Sequence, residues 1–445
     1  MKIIRKGISV LFVFAAVVAS SNGVLGSFVE AEQVKDMRWR GRVVKLAMSA
    51  SFFSENPAIK TGSDVRGALA RSIESWERAA NIKFELLDSP KLNVSPSGNS
   101  GDGVNLLTIA GSAENILFLG KSTGGLPAAT RVFFDRKGNI TESDIVLNPT
   151  EQFSTDGTFG TFDLESVFVH EIGHLLGLPH IELSGATMYD SVPRNGLYGL
   201  AYLRSRTLTE TDAAMVRAIY GEPADAVDCC GSITGTITMP NGRPARSVGV
   251  FLEASDGSQV YGSGKTDNAG KVNFSSVPTG NYRIAAIGAK SVVSFERLFS
   301  DTIEVTPNEE TPAVLTLASS VNPTNQILIG LNGQLSNTPI PLISGGVSRI
   351  YLGIPEKFTE KFKIESTSAN ITVVRDSISE NSQYEGLRVI SFEIEIEPDT
   401  PDGEYSLAIA ADGFGTACLP GVISIDRSLD NLRLLPRRVF GSVLK

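Results

Sequence analysis

Beyond Gly231 the pattern of hydrophobic and polar positions changes to short apolar runs separated by turn residues. Ile233 to Met239, Val248 to Ala254, Lys271 to Phe274 and Tyr282 to Ile287 read as strands. Between them lie Pro240-Asn241-Gly242, Asp256-Gly257, Asp267-Asn268-Ala269-Gly270 and Pro278-Thr279-Gly280-Asn281. That spacing of turns predicts a β-sandwich. A polar stretch with Pro323 follows, and then a second set of strand-like runs: Ile327 to Leu331, Ser348 to Leu352, Asn370 to Val374, Val389 to Ile396 and Tyr405 to Ala410. These predict a second, Ig-like sandwich. Before Gly231 one helix signal stands out. Asp163 is the candidate N-cap ahead of Leu164-Glu165-Ser166-Val167, with Val167, Leu175 and Leu176 as core-facing positions. Gly177 ends the pattern, since glycine accepts the left-handed turn that closes a helix.

The N-terminus carries Lys2, Arg5 and Lys6 and then an apolar run from Val10 to Ala19, with small residues from Ala19 to Gly26. Ten apolar residues are too few to cross a bilayer comfortably, whereas basic start, apolar run and small residues together describe a secretory signal. An uncleaved anchor is the alternative. The expected protein is exported, secreted or held in the cell envelope, and is not an integral membrane protein after signal removal. The formal charge of −9 becomes −12 without Lys2, Arg5 and Lys6. An acidic chain without a basic tract argues against nucleic acid as a partner. The cysteines are Cys229, Cys230 and Cys418. They are compatible with a bridge from Cys418 to either neighbour, with a vicinal Cys229–Cys230 bond, or with buried free thiols.

All three histidines of the chain fall in one run, His170-Glu171-Ile172-Gly173-His174-Leu175-Leu176-Gly177-Leu178-Pro179-His180. His170 and His174 are four apart and share one face of the expected helix. After the reversal at Gly177, His180 can return as a third ligand. Three imidazoles and one open position describe a catalytic zinc site, while structural sites are usually closed by four protein ligands. Glu171, beside the first ligand, stands where a general base belongs.

The run H-E-x-x-H-x-x-G-x-x-H resembles the signature of the metzincin zinc endopeptidases. Ala186-Thr187-Met188-Tyr189, eight residues after His180, is similar to the methionine turn of the matrixin branch, the relatives of matrix metalloproteinases. The resemblance covers residues 38–221. Trp39 before Val43 to Met48 resembles the start of such a domain. Arg66 to Ala80 around Trp76 resembles its first long helix, and Ile82 to Phe84 a strand. Leu208 to Gly221 resembles its closing helix, with Thr209 and Asp212 spaced as a capping box. The resemblance implies an α+β fold, a twisted mixed sheet with long helices. The resemblance also implies that Met188 packs beneath the metal without binding it and that Tyr189 helps to shape the pocket. Asp190 stands where matrixins usually have proline. No histidine is left for a second zinc, and no cysteine precedes the motif to restrain the metal. The loop Gly98-Asn99-Ser100-Gly101-Asp102-Gly103 is the candidate calcium loop, against the reading of a plain surface loop.

The order Gly-x-Ile-Thr, Asn-Gly-Arg-Pro, Val-x-Leu, Thr-Asp-x-x-Gly and Pro-x-Gly-x-Tyr resembles the carboxypeptidase-regulatory-like sandwich. The expected multidomain order is a signal (1–26), a short segment (27–37), an α+β zinc peptidase domain (38–221), a linker (222–231), a β-sandwich (232–318), a linker (319–325), an Ig-like β domain (326–426) and a tail (427–445). The two sandwiches either space and stabilise the chain or bind a surface, polymer or substrate. The expected activity is hydrolysis of peptide bonds in extracellular proteins. One zinc on His170, His174 and His180 activates a water, and Glu171 moves its proton. Substrate would lie along an edge strand, with Leu126 to Phe134 as that edge and Ile140 to Leu147 as its neighbour. The rival reading is an exported adhesin whose metzincin domain holds zinc but cleaves nothing.

Overall fold

The computed structural model describes residues 12–15, 37–53, 55–96, 101–120, 125–223, 229–320, 327–358, 361–380 and 386–427. The expected signal lies outside the described residues except for β1 (Phe12–Ala15), and the tail lies outside them except for Arg427.

The first part holds β2 (Val43–Ser49), α1 (Val65–Ala79), β3 (Lys83–Ser89), β4 (Leu106–Thr108), α2 (Ala113–Leu119), β5 (Ala128–Phe134) and β6 (Ile140–Leu147). A short pair follows, β7 (Phe153–Ser154) with β8 (Phe162–Asp163), then α3 (Leu164–Leu175) and α4 (Glu210–Tyr220). The sheet runs β1-β5-β6-β4-β2-β3. β2, β3, β4 and β6 run parallel to one another, and β5 is antiparallel to β6. The expected edge strand and its neighbour correspond to β5 and β6, but β5 is not the edge of this sheet, because β1 pairs on its outer side. α3 is buried along its whole length. Trp76 of α1 is fully buried and donates from Nε1 to Val169 O at 2.9 Å, which locks the two long helices together.

The middle part contains β9 (Cys230–Thr238), β10 (Gly249–Ala254), β11 (Val260–Lys265), β12 (Lys271–Pro278), β13 (Gly280–Ala286), β14 (Gly288–Ala289), β15 (Ile303–Val305) and β16 (Glu310–Thr316). Sheets β11-β10-β13-β15 and β12-β9-β16 enclose one core, with Ile233 and Ile237 from one and Val250, Leu252 and Ile284 from the other. β9 starts at Cys230, so the last residues of the expected linker belong to this sheet.

The last part contains β17 (Leu328–Leu331), β18 (Gln334–Ser336), β19 (Ile340–Leu342), β20 (Val347–Pro355), β21 (Lys363–Ser366), β22 (Ile371–Glu380), β23 (Leu387–Ile396), β24 (Gly403–Ala411) and β25 (Gly415–Ile425). Its sheets are β18-β17-β20-β23-β22 and β14-β25-β24-β21, the latter extended by β19 on β25. β14 comes from the middle part, so the two parts share a sheet. Cys229 and Cys230 are bonded to each other, and Cys418 is a buried free thiol. A bridge from Cys418 is therefore absent: its side chain sits in an apolar cluster with Phe251, Ala408 and Ala410, on β25 of a different sheet from β9.

Candidate metal centre

The helix that carries the motif forms as its sequence dictates. Asp163 Oδ2 accepts from Ser166 N at 3.0 Å, closing the N-terminus, and Arg206 pairs with the same carboxylate at 2.6 Å. Val167, Leu175 and Leu176 are buried. Gly177 has φ +95°, and a Cβ there would lie 2.4 Å from Met37 O. The reversal therefore needs glycine for both its conformation and its space.

The reversal returns His180 to the other two histidines. The three Nε2 atoms lie 3.0, 3.1 and 3.3 Å apart. His170 Nδ1 meets Thr187 O at 2.7 Å and His174 Nδ1 meets Leu178 O at 2.9 Å. Donation to those carbonyls puts the proton on Nδ1 and leaves a lone pair on Nε2. Converging lone pairs repel unless a cation sits among them, and tetrahedral Zn–N bonds of about 2.0–2.1 Å set nitrogens about 3.3 Å apart. The donor set fits zinc. Burial lowers the pKa of all three imidazoles, that of His180 to about 3, so neutral ligands are presented at pH 7. His170 and His174 are fully buried, and His180 is the one with partial exposure.

Glu171 is buried. Its Oε2 accepts from Thr130 Oγ1 at 2.5 Å. Burial pushes its carboxyl up to about 8, against the opposing effect of the Thr130 hydroxyl. Thr130 sits in β5, so this strand itself orients the carboxylate.

Met188 lies fully buried under the ligands. A Cβ on Gly173 would fall 2.2 Å from its Sδ, so the glycine inside the helix is what lets the methionine come so close. A glycine in mid-helix costs about 1 kcal/mol relative to alanine, which is itself a sign of close approach. The turn is fixed from α4. Asp212 Oδ2 accepts from Thr187 N at 2.8 Å and Oδ1 from Met188 N at 3.0 Å. The same carboxylate closes the expected capping box, accepting from Thr209 N at 2.9 Å and Thr209 Oγ1 at 2.7 Å. Tyr189 is half-buried. Thr130, Gly173 and the second role of Asp212 escape a reading along the chain, because each depends on a neighbour far away in sequence.

Of the candidate calcium loop, Gly98, Asn99 and Ser100 lie outside the described residues. Asp102 is paired with Lys91, and the Glu142 carboxylate accepts from Gly103 N.

Residues 38–221 match the family model for matrixin peptidases, Matrixin (Peptidase_M10). This part of the chain is matrixin-like. Metalloendoproteinase 1 of Glycine max is 31% identical over 193 residues, which span 42% of this chain and 54% of that protein. Metalloendoproteinase 1-MMP of Arabidopsis thaliana is 29% identical over 169 residues, 36% of this chain and 39% of that protein. The chain thus spans about half the length, or less, of these curated relatives. Among solved structures, the major pilin subunit of Bacillus cereus aligns with 44% of this chain and 69% of its own at 15% identity. Its TM-score is 0.17, too low for any argument about fold.

Proposed function

We propose that the matrixin part is a zinc endopeptidase and that the two β-rich parts are a carboxypeptidase-regulatory-like sandwich and an Ig-like sandwich that hold it. The observation that carries the activity is the convergence of three Nε2 lone pairs beside a buried carboxylate already oriented by Thr130. His170, His174 and His180 would hold the zinc. When bound, it polarises the scissile carbonyl and makes water a stronger acid.

The remaining work falls to the chain. Glu171 Oε2 is engaged by Thr130, which leaves Oε1 to take a proton from the attacking water and to return it to the leaving amine. Burial favours a carboxyl that can carry that proton for part of the cycle. Nδ1 donation to Thr187 O and Leu178 O keeps two of the imidazoles turned with Nε2 inward. The outer edge of β5 supports the mode of substrate binding. That side of β5 pairs antiparallel with Phe12–Ala15 of the expected signal, with Phe14 opposite Thr130, and removal of the signal would free its backbone groups for an extended segment. A peptide on that edge would pass Thr130 and hence Glu171.

The substrate class is an extended stretch of protein or peptide. Export rests on the N-terminal signal pattern, and no helix of the described residues is long and apolar enough to cross a membrane. A calcium ion next to Gly101 and Gly103 would find Glu142 Oε1, buried and unpartnered among the described residues. The test is cleavage of a quenched-fluorescent peptide library by the mature chain, by Glu171→Ala, and by a chelated sample resupplied with zinc. Zinc-restorable cleavage that falls by about 10²–10⁴ in the variant, with zinc retained, is the expected outcome. Near wild-type turnover in Glu171→Ala would refute the base assignment.

A further inference from the structure

The chain leaving Met188 forms one side of the metal pocket. Ile181 N donates to Met188 O at 3.0 Å, so the stretch bearing His180 runs beside the stretch bearing Tyr189. His180 and Tyr189 are both partly exposed, so the two adjacent stretches together make a rim next to the histidines. Burial pushes the Tyr189 phenol up to about 12, and the neighbouring Asp190 charge acts in the same sense.

What fixes this rim belongs to the last part of the chain. Asn337 Nδ2 donates to Tyr189 Oη at 3.0 Å. Nine residues further on, Tyr198 is fully buried within the core formed by Ile329, Ile340 and Ile350. Its Oη donates to Thr338 O at 2.7 Å, its N–H donates to Gln334 Oε1, and its carbonyl accepts from Asn332 Nδ2 at 2.7 Å. Tyr198 has φ +59°, a left-handed conformation that costs a non-glycine residue about 1–3 kcal/mol and persists only where its surroundings impose it. The surroundings here are one short hairpin, β17–β18, and the turn after it. Arg204, at the far end of the same loop, forms a buried ion pair with Glu404 of β24.

We propose that Asn337 is a positioning residue of the active cleft, acting through Tyr189, and that the last β-rich part thereby sets which substrate side chains the pocket beside Tyr189 accepts. The proposal rests on the peptidase reading for its site. A rim held by a second rigid body cannot reshape itself around each side chain, so selectivity is narrow and depends on Asn337.

The experiment is a selectivity profile, kcat/KM over peptides varied one position at a time, for wild type, Asn337→Ala, Tyr189→Phe and the double variant. Zinc content and thermal midpoint are measured in parallel. Asn337→Ala is expected to raise KM for the best substrate about 5- to 20-fold, to leave kcat within about threefold, and to flatten the preference at one position. In the Tyr189→Phe background the same change is expected to add less than about twofold, since the contact is already gone. A profile for Asn337→Ala that matches wild type, or full effects that add in the double variant, overturns the proposal while leaving the peptidase reading intact. If zinc-loaded wild type cleaves nothing, the peptidase reading fails, and the pocket is read instead by the affinities of a series of peptide hydroxamates for the zinc-loaded protein. Flattening of that series by Asn337→Ala, cancelled by Tyr189→Phe, supports the proposal, and an unchanged series overturns it.

Discussion

Asp212→Asn separates the reading of Asp212 as a helix cap from its reading as a support of the metal centre. The carboxylate is fully buried and accepts four hydrogen bonds, two from the methionine turn and two from Thr209. An amide has one accepting oxygen. If Asn Oδ1 takes the place of Oδ2, it keeps Thr187 and Thr209, and Nδ2 then faces the Met188 N–H, donor against donor. A lost bond to a charged acceptor is worth about 1.5–3 kcal/mol, and a buried unsatisfied donor costs about 1–3 kcal/mol. These overlap rather than add, so the expected destabilisation is about 3 kcal/mol. For a domain of this size each kcal/mol moves the midpoint by about 2–4 °C, so the first thermal transition should fall by about 6–12 °C.

The metal responds through a chain of contacts. Thr187 N is held by Asp212, and Thr187 O holds His170 Nδ1. Loss of an outer partner of a liganding histidine typically costs 10- to 100-fold in metal affinity. Competition with a fluorescent zinc chelator measures this directly. A control, Thr209→Ala, removes the hydroxyl's bond to the Asp212 carboxylate and the bond that hydroxyl accepts from Asp212 N, and leaves the Thr209 N–H and the contacts to the turn. It should lower the midpoint with zinc affinity within about threefold. If Asp212→Asn keeps wild-type zinc affinity while losing the same stability as Thr209→Ala, Asp212 is a cap and nothing more.

Three further outcomes follow from particular contacts. His180→Ala should bring zinc content close to zero after dialysis, since two imidazoles rarely hold the ion; stoichiometric zinc by elemental analysis would remove His180 from the ligand set. Glu404→Ala strands the buried Arg204 guanidinium and should cost about 3–5 kcal/mol in thermal or urea unfolding. Replacing both partners, Arg204→Met with Glu404→Leu, should cost clearly less, and equal losses would mean that charge burial is not the cause. Burial raises the Asp144 carboxyl from its ordinary range to about 7, against hydrogen bonds from Ser95 N and Leu106 N. A raised carboxyl contributes stability that is fully present below its unfolded value, about pH 4, and is lost as pH rises through about 7. Asp144→Asn should therefore show the flatter stability profile between pH 5 and pH 8, the two differing by about 2–3 kcal/mol over that window; parallel profiles would contradict it.

The features legible along the chain are those whose physics is local. Asp163 caps α3 because its carboxylate meets an N–H three residues on. Gly177 turns the chain because its backbone alone can, and the histidine spacing then brings three rings together. Strands bounded by strong turns were equally readable: Val389 to Ile396 lies within β23, and Tyr405 to Ala410 within β24. β25 was not, although it is the strand on which β24, β19 and β14 all pair. Its sequence carries Pro420-Gly421, which reads as a turn, and the pairing with β24 shifts register there instead of ending. β11, β15 and β16 were likewise invisible: β11 contains Gly262 and Gly264, and β16 contains Pro312, residues that weaken a strand pattern.

Contacts between parts leave no mark at all in a linear pattern. Tyr198 reads as one aromatic residue in a glycine-flanked loop, yet it is a core residue of another part of the chain. Its strained backbone makes sense only when the hairpin it enters is already formed. The order of dependence therefore runs opposite to the order of the sequence. His170 leans on the methionine turn, the turn on Asp212 of α4, and the stretch beyond the turn on Asn332, Gln334 and Asn337, more than 130 residues further along the chain. A cleft assembled in this way is complete only after the last β-rich part has folded. Truncation after residue 221 should accordingly leave the three histidines able to hold zinc while the loop from Asp190 to Arg204 loses the partners that define it. A truncated chain with an unchanged selectivity profile would break this dependence at its last step.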